Sequence, residues 1–391
     1  MNHGKGPAPE EEVRRRHRDP APALGTRGEP APWRRAVEGA AVALSRRGFG
    51  DARWSFLYGD DTGYAGQAAT DERVADAARR MRGGRDVATA VQGPVIHPAV
   101  WTWEVPLYFF AGGLASGSSF VAAAADAVGD HRSAAIARKV TLAAALPTAP
   151  LLIMDLGRPE RFLNMLRIFK PRSPMSMGAW CLVAFSTLAG GSVFADLAGR
   201  RRLARGLGAG TAFFGAYLGS YTGALLASTA VPVWARSRLF LGPIFMATAT
   251  ATGAATIRLV LAASGLPAGH PTRAAVGAVE SLAMAAELGL FAACERRLGP
   301  LAAALEKGRP GLLFRAAKLG ARAGLALRLA RRGGGSRLWG PWLEHLASVL
   351  YIVSGVGFRF AWVGAGRTSG TDDEAVARAA REPASRLGAA G

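Results

Sequence analysis

Beyond about residue 100 the chain alternates between long apolar runs and short, mostly basic connections. The runs extend from Val105 to Val128, Ala135 to Leu156, Met177 to Ala198, Gly206 to Val231, Leu239 to Leu261, Ala274 to Cys294 and Leu343 to Val363. Each has roughly the 20 residues that a helix needs to cross the hydrocarbon core of a bilayer. No water is available there for backbone groups, so every run is predicted to be a helix. One further segment, Leu312 to Arg332, is long enough to span but is interrupted by Arg315, Lys318, Arg322, Arg328, Arg331 and Arg332. Residues 315, 318 and 322 share a helical face, so it reads either as an interfacial amphipathic helix or as an eighth span. The expected fold is all-α: a polytopic membrane bundle of about eight transmembrane helices, or seven plus the amphipathic one.

Residues 1–96 follow no such pattern. They are rich in Arg, Glu, Pro, Gly and Ala and offer too little apolar surface to order themselves well. They are expected to form a disordered or loosely ordered N-terminal extension, followed by a membrane domain over 97–366 and a tail over 367–391. Ser45-Arg-Arg-Gly-Phe49 is similar to a twin-arginine export signal, but Gly50 to Trp54 supply no apolar core after it. Trp54-Ser-Phe-Leu-Tyr58 reads equally as a docking segment or as a local hydrophobic contact.

The formal charge of +20, from 48 basic and 28 acidic side chains, sharpens this picture. The arginines gather in the N-terminal region and between the apolar runs, where lipid headgroups take them, so no nucleic-acid partner is expected. With eight spans the basic residues divide almost evenly between the two sides, and the positive-inside rule gives no orientation. The two cysteines, Cys181 and Cys294, lie inside apolar runs and form no C-x-x-C pair. They are expected to be buried hydrophobes, with no iron–sulfur cluster in this chain. Histidine is nearly absent from the spans, apart from His345 at one edge and His97 outside another, so no haem is expected.

Gly113 with Gly117, and Gly215 with Gly219 and Gly223, form small-residue stripes of the kind that let helix backbones approach. Alternating direction then brings unusual residues to one rim. Trp101, Trp103, Glu104 and Tyr108 open the first span, and Asp155, Arg158 and Arg161 close the second. Ser173 to Trp180 open the third, and the fourth ends there, bringing Tyr221, Thr222, Pro232 and Trp234 toward the same level. The tryptophans alone are what an aromatic belt supplies, and Asp155 with Arg158 is also what a helix end and loop salt bridge would show. Together with Tyr217 and Tyr221, four residues apart on one face, they equally suit an amphipathic ring with a long apolar tail, which is a quinone. Such a head group needs a donor at its carbonyls and an acid or base for its protons. Inside the sixth span Glu280 and Glu287 stand seven apart on one face, and Arg258 of the fifth is placed to meet Glu280. They read either as a proton pathway or as a structural interhelical contact.

Over about residues 100 to 370 the chain resembles the NrfD-type family of polysulfide-reductase membrane anchors. The matching residues are Trp103-Glu-Val-Pro-Leu-Tyr108 running on to Gly117, Asp155-Leu-Gly-Arg-Pro-Glu-Arg-Phe162, Ser173-Pro-Met-Ser-Met-Gly178, Tyr221-Thr-Gly-Ala-Leu-Leu226, Pro232-Val-Trp234, Gly357-Phe-Arg-Phe360 and Gly364-Ala-Gly366. The resemblance implies a metal-free subunit that binds menaquinone or ubiquinone near one face of the plasma membrane. It implies electron exchange with a four-cluster ferredoxin-like iron–sulfur subunit that serves a molybdopterin enzyme acting on formate, polysulfide or a similar substrate, as in anaerobic respiration. On that basis Tyr221 is the expected quinone donor, with Trp103, Tyr108, Tyr217 and Arg158 around it. Asp155 and Glu104 would exchange protons, and Glu280, Glu287 and Arg258 would conduct them. The chain alone would not be a complete enzyme. The rival expectation is an ion- or proton-coupled transporter using the same intramembrane Glu and Arg residues, although no repeat between the halves supports it.

Overall fold

The computed structural model describes residues 101–156, 162–171, 173–332 and 340–372. Every regular element among them is helical, in the order α1 Glu104–Ala127, α2 His131–Ala145, α3 Thr148–Asp155, α4 Phe162–Arg167, α5 Pro174–Leu197, α6 Arg201–Ala227, α7 Pro232–Arg236, α8 Arg238–Ala263, α9 Pro271–Leu298, α10 Ala303–Glu306, α11 Gly308–Arg332 and α12 Gly340–Gly370, with a 3-10 turn at Gly299–Ala302. The all-α expectation holds. Among the described residues six stretches are long and apolar enough to cross a membrane: α1, the α2–α3 pair, α5, α8, α9 and the Trp342–Gly370 part of α12. Apolar side chains such as Phe194, Phe213 and Leu282 stand on the outside, more than 70% exposed. Lipid accepts a surface of that kind, whereas water opposes it.

The local chemistry explains where the helices start and break. Pro147, which has no N–H to donate, separates α2 from α3 within one crossing. Asp130 accepts the Ser133 amide at 3.1 Å and caps α2, while Ser173 caps α5 ahead of Pro174. The buried stripe of α9 runs through Arg273, Gly277, Glu280, Met284, Glu287, Phe291, Cys294 and Leu298. Steps of four and three residues make it a narrow seam of the coiled-coil kind. The glycine stripes do as expected: a Cβ on Gly117 or Gly253 would strike the backbone of the opposing helix between α1 and α8, and one on Gly223 would strike Leu241 of α8. Both cysteines are buried and free.

The basic segment forms a single helix, α11, which is not among the six stretches apolar enough to cross a membrane. α11 packs along α12, with Phe314 in the aromatic cluster of Phe291, Phe358 and Trp362 near one end and Arg328 hydrogen-bonded to Ser348 near the other. Residues 315, 318 and 322 lie on one face of α11, but their exposures differ. Arg315 and Arg322 are exposed, whereas Lys318 turns inward to Glu295 at 2.7 Å and sits 5.0 Å from the Phe291 ring centre. The charge of Lys318 is thereby paired and its stem is covered by aromatic carbon. Arg367 near the end of α12 donates to the Trp101 carbonyl at 3.4 Å, so the first and last described helix ends share one rim. Residues 1–96, His97, Arg158 and Arg161, for which the sequence raises expectations, lie outside the described residues.

Candidate functional site

That shared rim is built from the ends of α1, α3, α6 and α12 and the start of α5. Glu104 begins α1 and is 1% exposed, with the Thr102 hydroxyl donating to its carboxylate. Asp155, the last residue of α3, faces it. Tyr108 follows Glu104 by one turn and is also buried. On α6 the Tyr221 ring lies against Gly178, where any Cβ would collide with the phenol. Tyr221 neighbours Tyr108 and Cys181 and stacks on Tyr217, with centroids 5.5 Å apart and planes 21° from parallel. Tyr217 is 39% exposed and Tyr221 only 5%, so the tyrosines lead from the outer surface to the interior.

A second aromatic wall adjoins the first. Trp101 stacks on Trp234 at 5.3 Å, and Trp234 donates its indole N–H to the Trp362 carbonyl at 3.0 Å. Gly366 leaves room for the Trp234 ring. Trp103 is 46% exposed at the edge of the rim. Of the residues expected here, the structure brings together Glu104, Tyr108, Asp155, Tyr217 and Tyr221.

The expected proton-path residues are distributed differently. Arg258 pairs with Glu344, not with Glu280 as expected; Glu280 is taken by Arg328, which also donates to Ser348 at 2.9 Å. Spacing told which face of α9 carries Glu280, but the neighbour meeting that face is α11, which enters from the far end of the sequence. Glu287 faces Arg359 and Thr248. Arg359, 1% exposed, donates to the Phe245 carbonyl at 3.0 Å and lies 3.8 Å from the Phe245 ring centre. One oxygen of Glu280 and one of Glu287 find no partner among the described residues.

The opposite rim holds a third charged group. Arg138 grips Asp196 through two hydrogen bonds of 2.6 and 2.8 Å and also binds Asp126, tying α2 to α5 and α1. Near it an apolar groove of about 700 Å³ runs between α1, α8 and α9, with Asp130, His270 and Thr272 at one end. Among the described residues no cluster of His, Cys, Asp or Glu could hold a metal ion.

The family described as Polysulphide reductase, NrfD, matches residues 95–295. That stretch is more than half of the 391 residues. The chain belongs to the NrfD family. No match is found among curated proteins. As an NrfD protein the chain is an integral membrane protein, the membrane subunit of a complex of the polysulfide-reductase type. The matched stretch contains the tyrosines, Asp155, Glu104 and both seam glutamates, but not Arg328, Glu344 or Arg359. Those arginines, together with Gly178 and the Asp126–Arg138–Asp196 group, were not singled out from sequence as site residues. An arginine inside an apolar span was the available signal for Arg359.

Proposed function

We propose that this NrfD chain is the quinone side of a multi-subunit oxidoreductase. It exchanges electrons between menaquinone or ubiquinone and the iron–sulfur subunit of a molybdopterin-type enzyme. The observation that carries the reading is the tyrosine stack over Gly178 beside the Glu104–Asp155 pair. A quinone ring entering from lipid at Tyr217 meets phenol faces, then the Tyr221 hydroxyl as a donor for a carbonyl. Conversion between quinone and quinol moves two electrons, exchanged with the iron–sulfur partner, and two protons, and the two adjacent carboxylates give those protons a place to come from or go to.

Glu280 and Glu287 serve in this reading as interior stations of a proton path along the α9 seam. They are seven residues apart, about 10 Å along a helix, so intervening waters would carry the proton between them. The same residues are what a proton-coupled transporter would use. The two readings separate on purification from the native membrane in mild detergent. Co-purifying subunits that bring iron and molybdenum, with about one extractable quinone per chain, support the redox reading. A chain that purifies alone, free of metal and quinone, overturns it in favour of the transporter.

A further inference from the structure

α11 is too charged to cross a membrane on its own account, yet it is held beside a helix apolar enough to do so. Ala317 lies against Gly357, Gly320 against Ser354 and Gly324 against Tyr351, so α11 and α12 run antiparallel and match level by level. α12 is itself fixed inside the bundle, where Arg359 donates to the Phe245 carbonyl of α8 and Gly355 meets Thr252. The middle of its apolar stretch Trp342–Gly370 falls beside Gly357, and hence level with Ala317. Arg315 and Arg322 are two and five residues from Ala317, about 3 and 8 Å along the helix. The edges of a hydrocarbon core of roughly 30 Å lie about 15 Å from its middle, so both arginines start deep within it. Sliding the helix pair along the membrane normal does not relieve this. The two are seven residues apart, and moving one toward an edge carries the other to the centre.

Both arginines are exposed, and neither has a polar partner among the described residues. Leu312, Leu319, Ala316 and Ala323 are exposed beside them. Each of these three residue types recurs after seven positions, which is the spacing of a seam for one further helix. The alanines allow its backbone to come close. Lipid would accept the leucines and alanines, but an unpaired guanidinium group at this depth is costly. A second copy of this chain, related by a two-fold axis along the membrane normal, would set Arg315 on Arg315 and Arg322 on Arg322, like charge against like. Carboxylates on a helix of another subunit would instead take both guanidinium forks in bidentate pairs. We propose that the outward face of α11 docks a membrane-spanning helix of a partner subunit that carries two carboxylates about seven residues apart. An NrfD subunit belongs to a complex, which is the source of such a helix whether or not this chain binds quinone.

The test places a benzophenone side chain at Leu319, between the two arginines, in the full chain made in its native membrane. Light is applied before any detergent, and adducts are mapped by mass spectrometry. The expected adduct joins position 319 to an apolar stretch of a different protein, with Asp or Glu at two positions about seven residues apart. Retention of that protein through mild-detergent purification is then compared between variants. Arg315→Met combined with Arg322→Met should lower it at least about tenfold, as the loss of desolvated charge pairs does, and Arg322→Lys should lower it less. Both arginines are exposed, so the double variant is expected to fold, and the adduct at position 319 is read without it. An adduct confined to lipid, to a second copy or to residues 1–100 of this chain, or no adduct, overturns the proposal. So does undiminished retention of the cross-linked protein by the double variant.

Discussion

The two rims of this bundle use polar residues in opposite ways. At the tyrosine rim the polar atoms are phenols, indoles and two neighbouring carboxylates, set on glycines and reached from the lipid side through Tyr217. At the other rim they are arginines locked to carboxylates: Arg138 with Asp126 and Asp196, Arg258 with Glu344, Arg328 with Glu280. Locked ion pairs fix helices against one another but leave few free hydrogen-bonding sites for a neutral ring. Phenols beside carboxylates can bind such a ring and exchange its protons. Quinone chemistry is therefore expected at the first rim, while the second ties the helices together and borders the proposed proton path at Glu280.

The sharpest way to break this contrast is at the tyrosines and Asp155. Tyr221→Phe and Asp155→Asn should each lower quinone-coupled turnover of the complex by about a hundredfold or more, the usual loss when a positioned acid or base is removed. Electron transfer measured with an artificial donor at the iron–sulfur subunit should stay unchanged. Wild-type quinone turnover in both variants would end the assignment. Next in size is Arg328→Met, which leaves Glu280 buried without its partner and should cost about 3–5 kcal/mol. Arg315→Met on the exposed face of the same helix should change stability by no more than about 0.5 kcal/mol, apart from any effect on partners. Comparing the two by denaturant titration sharpens the claim that the second rim is structural. Gly117→Val, which drives a side chain into the backbone of α8 at Ala249, should cost about 1–3 kcal/mol or more.

The smallest effect concerns Asp130, in the turn between α1 and α2. Burial pushes its carboxyl up, but hydrogen bonds from Ser133 and Thr272 outweigh that and hold it below the ordinary 3.8. A depressed carboxyl stabilises the fold above the unfolded value, and that stabilisation is lost as pH falls through the folded one. The contribution is thus complete near neutrality and disappears only below about pH 4. Asp130→Ala should cost about 1 kcal/mol through the lost cap and remove that part of the acid dependence. An unchanged acid profile in the variant would count against the capping role.

Much of the fold was legible because the apolar runs are long and their borders are marked by Pro, Gly and charge. The tyrosine pair was legible from its four-residue spacing, and its rim from the alternation of helix direction. Two kinds of feature were not. Periodicity shows which face of α9 carries Glu280, but not that α11 rather than α8 supplies its arginine. The composition of α11 concealed its role, because Lys318 and Arg328 look like surface charges until Glu295 and Glu280 are seen to meet them. Gly178 likewise carries no signal of its own. Its function is visible only when the Tyr221 ring from another helix occupies the space a side chain would fill.

The quinone assignment is tested most directly by photolabelling the native complex with an azidoquinone and mapping the adduct by mass spectrometry. Label at Tyr217, Tyr221 or the start of α5 over residues 174–181, reduced by excess unlabelled quinone, is the expected result. Label confined to the groove between α1 and α9, around Val128 and Val279, would contradict the account by moving the quinone to the opposite rim.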